Sequence, residues 1–280
     1  MKLGIDIGGT YLRYELREKN IIVEKESLES SLLGLCAFLE NFLTRHSNIT
    51  TIFISYAGEV AKGKILSAPN IKIDRYDLQE YIESKYDVEL FLENDVNCAV
   101  LAEAAFFQSK DICAIYVGTG LGLGVACGSH LLHGADNIAA ELGHIPFQSS
   151  PFICSCGKNN CVELFCSGSG LLRWKEKENL DIQLSLSELK QSSNAAAQQI
   201  YNTFFEALLH AAGVVVTLFN PKVLVFGGGI ILNEKAILTQ VQEKIQEYAL
   251  PLATKNLQIK QTQLKDAPLQ GAFLLKDNYV

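Results

Sequence analysis

The sequence predicts an α/β protein built from two related lobes. After an opening run of three strand-like segments, helix-like and strand-like segments alternate along the chain, which is the element order of α/β proteins. The chain has 280 residues, of which 48% are hydrophobic, so it exceeds the usual length of one domain and can build two cores. Residues 4–10 and 114–120 also align with each other, each as a strand that leads into a turn of small residues. These three observations predict a duplicated fold.

The first part of the chain has the pattern of a strand meander followed by alternating helices and strands. Alternating apolar residues bounded by turn residues mark strands, and apolar residues spaced three and four apart mark helices. The predicted strands are residues 3–7, 12–16, 21–23, 51–56, 64–66 and 88–92, and the predicted helices are residues 31–46, 77–85 and 96–107.

The pattern restarts at residue 111, where an apolar strand again ends in a glycine-rich turn. The predicted strands are residues 111–117, a further strand that ends at Cys127, 223–226 and 257–260, and the predicted helices are 186–191, 195–219, 233–248 and 268–276. The polar residues 174–194 carry the weakest pattern. We therefore assign residues 1–112 with 266–280 to an N-terminal lobe and residues 113–265 to a C-terminal lobe.

Composition argues against several classes of partner. The net charge is -7 and no cluster of Lys and Arg could bind a phosphate backbone, so we expect no nucleic acid partner. The start of the chain lacks the pattern of a signal peptide, and the apolar residues 207–219 are too few to span a bilayer, so we expect a cytoplasmic protein without a membrane partner. Cys36, Cys98, Cys113 and Cys127 occur singly in apolar surroundings, which disfavours a disulfide framework.

Glycine-rich turns follow three of the predicted strands, at residues 8–10, 118–120 and 227–229. Glycine lets backbone N–H groups approach an anion closely, and the threonine in the first two turns adds a hydroxyl donor, so these two suit a polyphosphate. A single turn of this kind is usually only a turn, but two related turns in a duplicated frame could face one another across a cleft. Neither turn has the G-x-G-x-x-G spacing of a dinucleotide site.

A segment that resembles a P-loop occurs at residues 58–65, but Ile65 stands where a P-loop has the Ser or Thr that holds Mg²⁺. The apolar residues that follow do not open a helix. We therefore interpret this segment as a hairpin turn.

Polar residues near the ends of two predicted strands are candidates for chemistry. Asp6 lies in an apolar strand, where its carboxylate needs either a cation or turn N–H groups as partners. Arg13, on the strand that follows the turn, is either a phosphate-binding side chain or a surface charge exposed to solvent. Asn94 and Asp95 end one strand and open a helix. One interpretation is that either residue is the N-cap of that helix. The other is that the Asp95 carboxylate faces the carboxyl end of the strand, where open α/β folds bind substrates.

One His and three Cys within a short segment predict a metal site. His144, Cys154, Cys156 and Cys161 form a complete tetrahedral zinc set, and the C-x-C-x4-C spacing suits one loop around one ion. Cys166 is the alternative fourth ligand. The other interpretations are buried packing, a disulfide pair and an iron–sulfur cluster. Four protein ligands leave no open position for water, so the zinc is expected to be structural.

Six motifs match the ROK family (repressor, open reading frame, kinase) in sequence order. They are Asp6-Ile-Gly8-Gly9-Thr10, Glu93-Asn94-Asp95-Val-Asn97, Gly118-Thr119-Gly120-Leu-Gly122, Glu141-Leu-Gly143-His144, the cysteine cluster followed by Glu163, and Phe226-Gly227-Gly228-Gly229. The chain thus resembles this family over nearly its whole length. The Glu-x2-His motif with the cysteine cluster and the following glutamate is the most specific part of the match.

The resemblance implies an actin-like, ribonuclease H-like duplicated ATPase fold, with ATP between two lobes and a sugar deep in the interlobe cleft. Asp95 would be the catalytic base that accepts the proton of the attacked hydroxyl. The implied sugar-binding residues are Gly58, Asn70, Asn94, Asp95, Glu141, His144 and Glu163. The residues implied to hold ATP and Mg²⁺ are Asp6, Gly8, Gly9, Thr10, Arg13, Gly118, Thr119, Gly120 and Gly228. His144 would bridge the zinc and the sugar.

Several positions depart from the family pattern. Asn137 and Ala140 stand where glycines are usual before the Glu-x-Gly-His motif, Asn160 replaces the glycine before the third Cys, and Tyr11 replaces a common Lys. Residues 57–59 lack the usual Pro of the sugar-facing loop. These departures bear on which sugar is bound.

The sequence therefore predicts an ATP- and Mg²⁺-dependent kinase for a hexose or an N-acetylhexosamine, acting as a homodimer. One alternative is a sugar-sensing transcription regulator of the same family, which would need a DNA-binding segment before Asp6. Another is a nucleotide-dependent activator of similar fold whose cysteines bind an iron–sulfur cluster.

Overall fold

The computed structural model describes residues 1–30, 34–68 and 70–278. It divides into two compact units, which are residues 1–110 with 128–139 and 264–280, and residues 111–127 with 140–263. The sequence-based division assigned residues 128–139 to the second lobe, whereas the structure groups them with the first unit. The reason is local: the side chain of Asn137 donates to the carbonyl of Val60, and His133 donates to Glu93.

Strands and helices alternate along the chain much as the apolar pattern predicts. The strands are β1 (Lys2–Ile7), β2 (Tyr11–Glu18), β3 (Ile21–Glu29), β4 (Thr51–Tyr56), β5 (Glu59–Ala61), β6 (Lys64–Ser67), β7 (Glu89–Asn94), β8 (Ile112–Val117), β9 (Leu121–Cys127), β10 (His130–Leu131), β11 (Val223–Gly227) and β12 (Gln258–Gln261). The helices are α1 (Leu35–Arg45), α2 (Leu78–Lys85), α3 (Asp95–Phe107), α4 (Gly168–Lys177), α5 (Leu186–Gln191), α6 (Ala195–Phe219), α7 (Gly229–Asn233), α8 (Lys235–Lys244), α9 (Pro251–Thr254), α10 (Ala267–Ala272) and α11 (Leu275–Asn278). Short 3-10 turns occur at Leu142–His144, Val162–Leu164 and Ile245–Glu247.

The sheet of the first unit has the strand order β3-β2-β1-β4-β7. Strands β1, β4 and β7 are parallel, and Ile7 lies opposite Tyr56, which lies opposite Asn94. The carboxyl ends of these strands therefore meet at one edge of the sheet. The turn at residues 8–10, residues 57–58 and the Asn94–Asp95 turn all follow directly from that edge.

Helices cover both faces of this sheet, because successive residues of a strand point to opposite sides. Ile52 and Ile54 of β4 belong to the cluster formed with α1 and α2, whereas Phe53 belongs to the cluster formed with α3, α10 and α11. Helices α3 and α10 pack closely: a Cβ added at Gly271 would lie 1.6 Å from the carbonyl oxygen of Cys98. A rigid core thus supports the edge that carries the polar residues.

The second unit repeats this topology. Its strands have the order β9-β8-β11-β12, with β8 antiparallel to β9 and parallel to β11, as β1 is antiparallel to β2 and parallel to β4. The duplicated α/β fold predicted from the sequence is therefore confirmed. Within the described part of the chain, α6 alone is long and apolar enough to cross a membrane, but its most apolar window is 56% buried in the protein, as in a core helix.

Several elements differ from their predicted bounds. The predicted helix 31–46 corresponds to α1, which begins at Leu35, and residues 31–33 lie outside the described residues. Strand β3 extends beyond residue 23 because its polar residues pair with β2 along the sheet edge. The predicted helix 233–248 is α8 followed by a 3-10 turn, and the predicted helix 268–276 corresponds to α10 and α11.

Helix α4 was not predicted, because its sequence is mostly polar. The features that stabilise it, an N-cap and a buried lysine, are visible only in the structure. The Ser167 hydroxyl accepts the N–H of Gly170, which caps the helix. Further along, the buried Lys175 donates to the carbonyls of Ile182 and Leu184, so backbone oxygens hydrogen-bond its ammonium group in place of water.

Candidate active site and metal centre

The turn between β1 and β2 contains the first predicted phosphate-binding segment. The N–H of Gly8 donates to the carbonyl of Tyr11 at 2.9 Å, and the N–H of Ser30 donates to the carbonyl of Thr10 at 3.0 Å. A Cβ added at Gly9 would lie 2.7 Å from the Cβ of Asn70. Asn70, which the family resemblance implies as a sugar contact, therefore packs against this turn, and only glycine allows that approach.

Asp6 lies at the end of β1 and is 7% exposed. It accepts a hydrogen bond from the Ser55 hydroxyl at 2.9 Å and one from the Arg13 guanidinium at 3.3 Å. Burial raises the pKa of Asp6, while the Ser55 bond and the charge of Arg13 act in the opposite direction. A further cation beside the carboxylate would stabilise its charged form, so Asp6 fits the role of an Mg²⁺-organising residue.

Of the two kinds of partner expected for Asp6, a cation or turn N–H groups, the described residues supply a cation, the Arg13 guanidinium. Arg13, implied as a phosphate ligand, pairs with Asp6. Ser55 was missed, although it lies directly opposite Asp6 in the register of β1 and β4. The signal was present: Ser55 is a polar residue inside the otherwise apolar segment 52–56.

The structure divides the roles of the Asn94–Asp95 pair. Asn94 is the N-cap of α3, since its side-chain oxygen accepts the N–H groups of Val96 at 2.9 Å and Asn97 at 3.2 Å. Its amide nitrogen also donates to the carbonyl of Gly58 at 3.1 Å. Asp95 is the first helical residue, and one of its oxygens accepts the N–H of Val96 at 2.9 Å. The carboxylate thus lies at a helix N-terminus, where the helix dipole stabilises its negative charge.

Sequence reasoning gave no role to Glu93, although the residue lies in a family motif, and it did not single out His133. The fully buried Glu93 accepts hydrogen bonds from the backbone N–H of Asn94 at 2.8 Å, the side-chain amide of Asn97 at 3.0 Å and Nε2 of His133 at 2.9 Å. The bond to Glu93 raises the pKa of His133. The available signal was a glutamate at the end of an apolar strand, which needs a partner when buried.

The four predicted metal ligands come together in the second unit. The ligand atoms of His144, Cys154, Cys156 and Cys161 all lie within 4.8 Å of one another. The Cys154 sulfur is 3.4 Å from Nδ1 of His144, and the Cys156 and Cys161 sulfurs are 3.3 Å apart. Zinc–sulfur bonds of about 2.3 Å in a tetrahedral site place sulfurs about 3.8 Å apart, so this donor set fits zinc. Cys166 is fully buried and lies outside this group.

Backbone hydrogen bonds fold the cysteine loop. The N–H of Gly157 donates to the carbonyl of Cys154 at 2.9 Å, and the N–H of Cys154 donates to the carbonyl of Lys158 at 2.8 Å. Burial raises the pKa of Cys154 and raises that of Cys161 to about 12, whereas a backbone bond from Lys158 lowers the pKa of Cys156. Since zinc binds thiolates, metal binding would release protons here.

Two predicted sugar-binding carboxylates lie beside His144. Oε2 of Glu141 is 3.8 Å from Nε2 of His144, and Oε1 of Glu163 is 4.0 Å from Nδ1. Glu163 also accepts hydrogen bonds from the Cys154 thiol at 3.3 Å and from the N–H of Leu121 at 3.4 Å. One imidazole thus contacts the cysteine cluster and both carboxylates.

The glycine turns of the second unit lie at the carboxyl ends of β8 and β11. The N–H of Gly118 donates to the carbonyl of Gly120 at 3.0 Å, and a Cβ at Gly118 would meet no described atom within 4 Å. Gly228 has φ +88°, and a Cβ there would lie 2.4 Å from the carbonyl oxygen of Val117. The N–H of Gly168, at the start of α4, donates to the carbonyl of Gly118 at 2.8 Å. This contact from α4 was not predicted.

Comparison with known proteins decides the family. The ROK family profile matches residues 2–278 of the chain. The chain belongs to the ROK family. Its relatives include a glucokinase of Thermotoga maritima, 30% identical over 70% of this chain and 68% of the relative. They also include a xylose repressor of Bacillus spizizenii, 26% identical over 96% of this chain and 75% of the relative.

The solved structures of ROK proteins show the fold. A ROK family glucokinase of Streptomyces griseus, crystallised with glucose and AMPPNP, superimposes with a TM-score of 0.75 at 23% sequence identity over 97% of each chain. The actin-like fold of this ROK chain is therefore established. Glucokinases and xylose repressors both occur among its relatives.

Asn137 and Ala140, which stand where the ROK pattern has glycine, have backbone angles that favour glycine. Asn137 has φ +63° and Ala140 has φ +67°, both in the left-handed region that favours glycine. Asn137 is one of the residue types that tolerate this region, and its side chain donates to the carbonyl of Val60 at 2.7 Å. Ala140 has no such compensation from its methyl group. Both residues thus adopt a backbone conformation that glycine favours.

Proposed function

We propose that this ROK protein is an ATP-dependent kinase that transfers a phosphoryl group to a hydroxyl of a hexose or an N-acetylhexosamine. The observation that carries the proposal is the arrangement at the start of α3. Asn94 caps the helix, and Asp95 presents a carboxylate at its positive end, beside the sheet edge that carries the 8–10 turn. A sugar-binding regulator needs no such base, whereas a kinase needs a group that accepts the proton of the attacking hydroxyl.

Phosphoryl transfer depends mainly on positioning and on neutralising phosphate charge. In the first unit we assign Asp6, Gly8, Gly9, Thr10 and Arg13 to the nucleotide side. In the second unit we assign the residues of the 118–120 turn, Gly118, Thr119 and Gly120, together with Gly228. Mg²⁺ bound with ATP would neutralise part of the phosphate charge, and the buried carboxylate of Asp6 fits an organising role toward it.

Recognition of the sugar requires hydrogen-bonding groups that are fixed before the sugar arrives. In the second unit, Glu141, His144 and Glu163 supply carboxylate and imidazole groups, and the cysteine loop holds His144 through Nδ1. In the first unit, Gly58 and Asn94 are joined by a hydrogen bond, and Asn70 packs on the 8–10 turn. A zinc ion in the cysteine loop would have a structural role, because four protein ligands complete its coordination.

We also propose that the protein is a cytoplasmic homodimer, since ATP and free sugars are cytoplasmic substrates. Exposed leucines of the second unit support self-association: Leu218 is 70% exposed, Leu250 is 53% exposed and Leu252 is 81% exposed. They are neighbours, because the N–H of Leu250 donates to the Thr217 hydroxyl at 3.1 Å. Light scattering of the purified chain would measure its mass.

The second candidate function is a sugar-responsive regulator, which the resemblance to xylose repressors favours. Coupled ADP release with glucose, mannose, fructose, allose, N-acetylglucosamine and N-acetylmannosamine separates the two. A kinase releases ADP with at least one sugar and yields a sugar phosphate of the expected mass. Sugar binding by calorimetry without ADP release would instead support the regulator. An iron–sulfur protein would be coloured and lose its metal in air.

A further inference from the structure

The carboxylate of Glu93 has no role in the function proposed so far, although it is fully buried beside Asp95. A buried carboxylate is costly unless it is paired and hydrogen-bonded. One oxygen of Glu93 accepts the N–H of Asn94 at 2.8 Å and the side-chain amide of Asn97 at 3.0 Å, and the other accepts Nε2–H of His133 at 2.9 Å. Glu93 therefore holds the Glu93–Asn94 peptide and the Asn97 side chain, on either side of Asp95 along the chain, and His133 holds Glu93.

His133 belongs to a turn that contacts a second part of the first unit. Its carbonyl accepts the N–H of Ala139 at 3.1 Å, which closes the turn. Within the turn, Gly134 and Asn137 have positive φ angles, so the backbone is tightly curled. The Asn137 side chain then donates to the carbonyl of Val60 at 2.7 Å. One short segment thus contacts both Glu93 and the start of the β5–β6 hairpin.

The hairpin is also tied to the helix cap, because Asn94 donates to the carbonyl of Gly58 at 3.1 Å. Two side-chain amides, from Asn94 and Asn137, therefore hold two carbonyls of residues 58–60. The contacts form a closed ring of hydrogen bonds and chain segments that runs through Gly58, Val60, Asn137, His133, Glu93 and Asn94. Of these six residues, His133 and Glu93 are the two with ionisable side chains.

We propose that His133 is a positioning residue for phosphoryl transfer. It holds the Asn94–Asp95 turn in a fixed position relative to residues 58–60, through its own bond to Glu93 and through Asn137 of the same turn. This inference rests on the proposed kinase function. In this proposal the imidazole acts through Glu93 and not by contact with substrate. Its effect is to fix the position of Asp95, the proposed base, relative to the segment that contains Gly58. A misplacement of about 1 Å at a reacting group costs up to about a hundredfold in rate, so a large loss of turnover is expected when the ring of contacts opens.

Kinetics of matched variants test the proposal. His133→Leu removes the donor to Glu93, His133→Gln keeps a side-chain N–H donor, and His130→Leu changes an exposed histidine three positions earlier as the control. We expect His133→Leu to lower kcat by about tenfold or more while the KM for ATP stays within about twofold, and His133→Gln to recover most of the loss. His130→Leu should behave like the unchanged protein.

A double variant separates positioning from a general loss of packing. If His133 acts only through Glu93, His133→Leu combined with Glu93→Gln should lower kcat no further than the more impaired of the two single variants. Multiplicative losses would overturn the proposal, as would a His133→Leu protein with unchanged kcat. Equal impairment by His133→Leu and His133→Gln would likewise contradict it, because the donor would then be irrelevant.

Hydrogen exchange supplies a readout that does not require turnover. In His133→Leu, the amides of residues 58–60 and 94–97 should exchange faster, whereas those of β8 should not change. Unchanged exchange in both segments would refute the positioning role even if the protein is an active kinase. If the unchanged chain phosphorylates no sugar, the proposed function fails, and the exchange result alone then decides whether His133 orders the turn.

Discussion

Nδ1 of His144 lies 3.4 Å from the sulfur of Cys154, while Nε2 of the same ring lies 3.8 Å from Glu141. One imidazole therefore joins the cysteine cluster to a carboxylate proposed to bind sugar. This relationship connects the metal centre with substrate recognition, because any ion that binds Nδ1 also fixes the direction of Nε2. Two predictions follow from that connection.

The cluster should bind one zinc ion. Elemental analysis of freshly purified protein should find about one zinc per chain, and Cys156→Ser should reduce that amount by removing one of four ligands. Cys127→Ser, which changes an exposed cysteine outside the cluster, is the matched control and should retain the metal. Absence of zinc, or zinc that persists in Cys156→Ser, would show that these residues are not the ligand set.

Removal of the zinc should weaken sugar binding much more than ATP binding. A bound zinc would hold the loop that carries His144 and that lies beside Glu141 and Glu163, whereas the glycine turns proposed for ATP contain none of the four proposed ligands. Calorimetric titration of ATP and of the best sugar into chelator-treated protein, checked for folding by circular dichroism, measures both affinities. Equal weakening would indicate general unfolding, and an unchanged sugar affinity would mean that the loop does not order the sugar-binding residues.

Relief of strain at Ala140 should stabilise the protein. Ala140 has φ +67°, and the left-handed region costs an alanine roughly 1–2 kcal/mol of conformational free energy relative to the right-handed region. Glycine avoids this cost, but it raises the entropy of the unfolded chain, which offsets part of the gain. We therefore expect Ala140→Gly to raise the free energy of unfolding by about 0.5–1 kcal/mol in urea titrations. Ala139→Gly, without a positive φ to relieve, should lower it. If Ala140→Gly is no more stable than the parent, the backbone at this position is not strained.

The His133–Glu93 pair should make stability depend on pH. Its hydrogen bond to Glu93 raises the pKa of His133 in the folded state, so the pair contributes fully below the usual histidine pKa, and its contribution is lost as pH rises through the raised value. The difference in free energy of unfolding between the parent and His133→Gln should therefore shrink as the pH rises above the usual histidine pKa of about 6.5. A difference that stays constant as the pH rises would show that His133 does not gain protons on folding.

Much of the fold and several local features could be predicted from the sequence. The apolar periodicity located the strands of both sheets except the short β10, and the aligned glycine turns predicted the duplication. The false P-loop at residues 58–65 is a hairpin, as its apolar Ile65 indicated, with Lys62 and Gly63 at positive φ in the turn. These features depend on local chemistry that short stretches of sequence display.

The missed features depend on contacts between distant parts of the chain. Glu93 and His133 are 40 residues apart, and no local pattern connects them. Ser55 becomes a partner of Asp6 only through the register of β1 and β4. Residues 128–139 pack with the first unit because Asn137 reaches Val60, which the hydrophobic pattern does not encode. Sequence reasoning therefore located candidate groups but not the residues that hold them.

The replacement of Asp95 by Asn tests whether this carboxylate is the catalytic base of the proposed kinase. The change keeps the side-chain size and the position at the start of α3, but removes the group that accepts the hydroxyl proton. General-base catalysis contributes about 10²–10⁴-fold, so turnover in the coupled ADP assay should fall by about that factor while ATP still binds and the melting temperature is retained. Asp87→Asn, an exposed carboxylate shortly before β7, should leave turnover unchanged. Near-normal turnover by a folded Asp95→Asn protein would contradict the account.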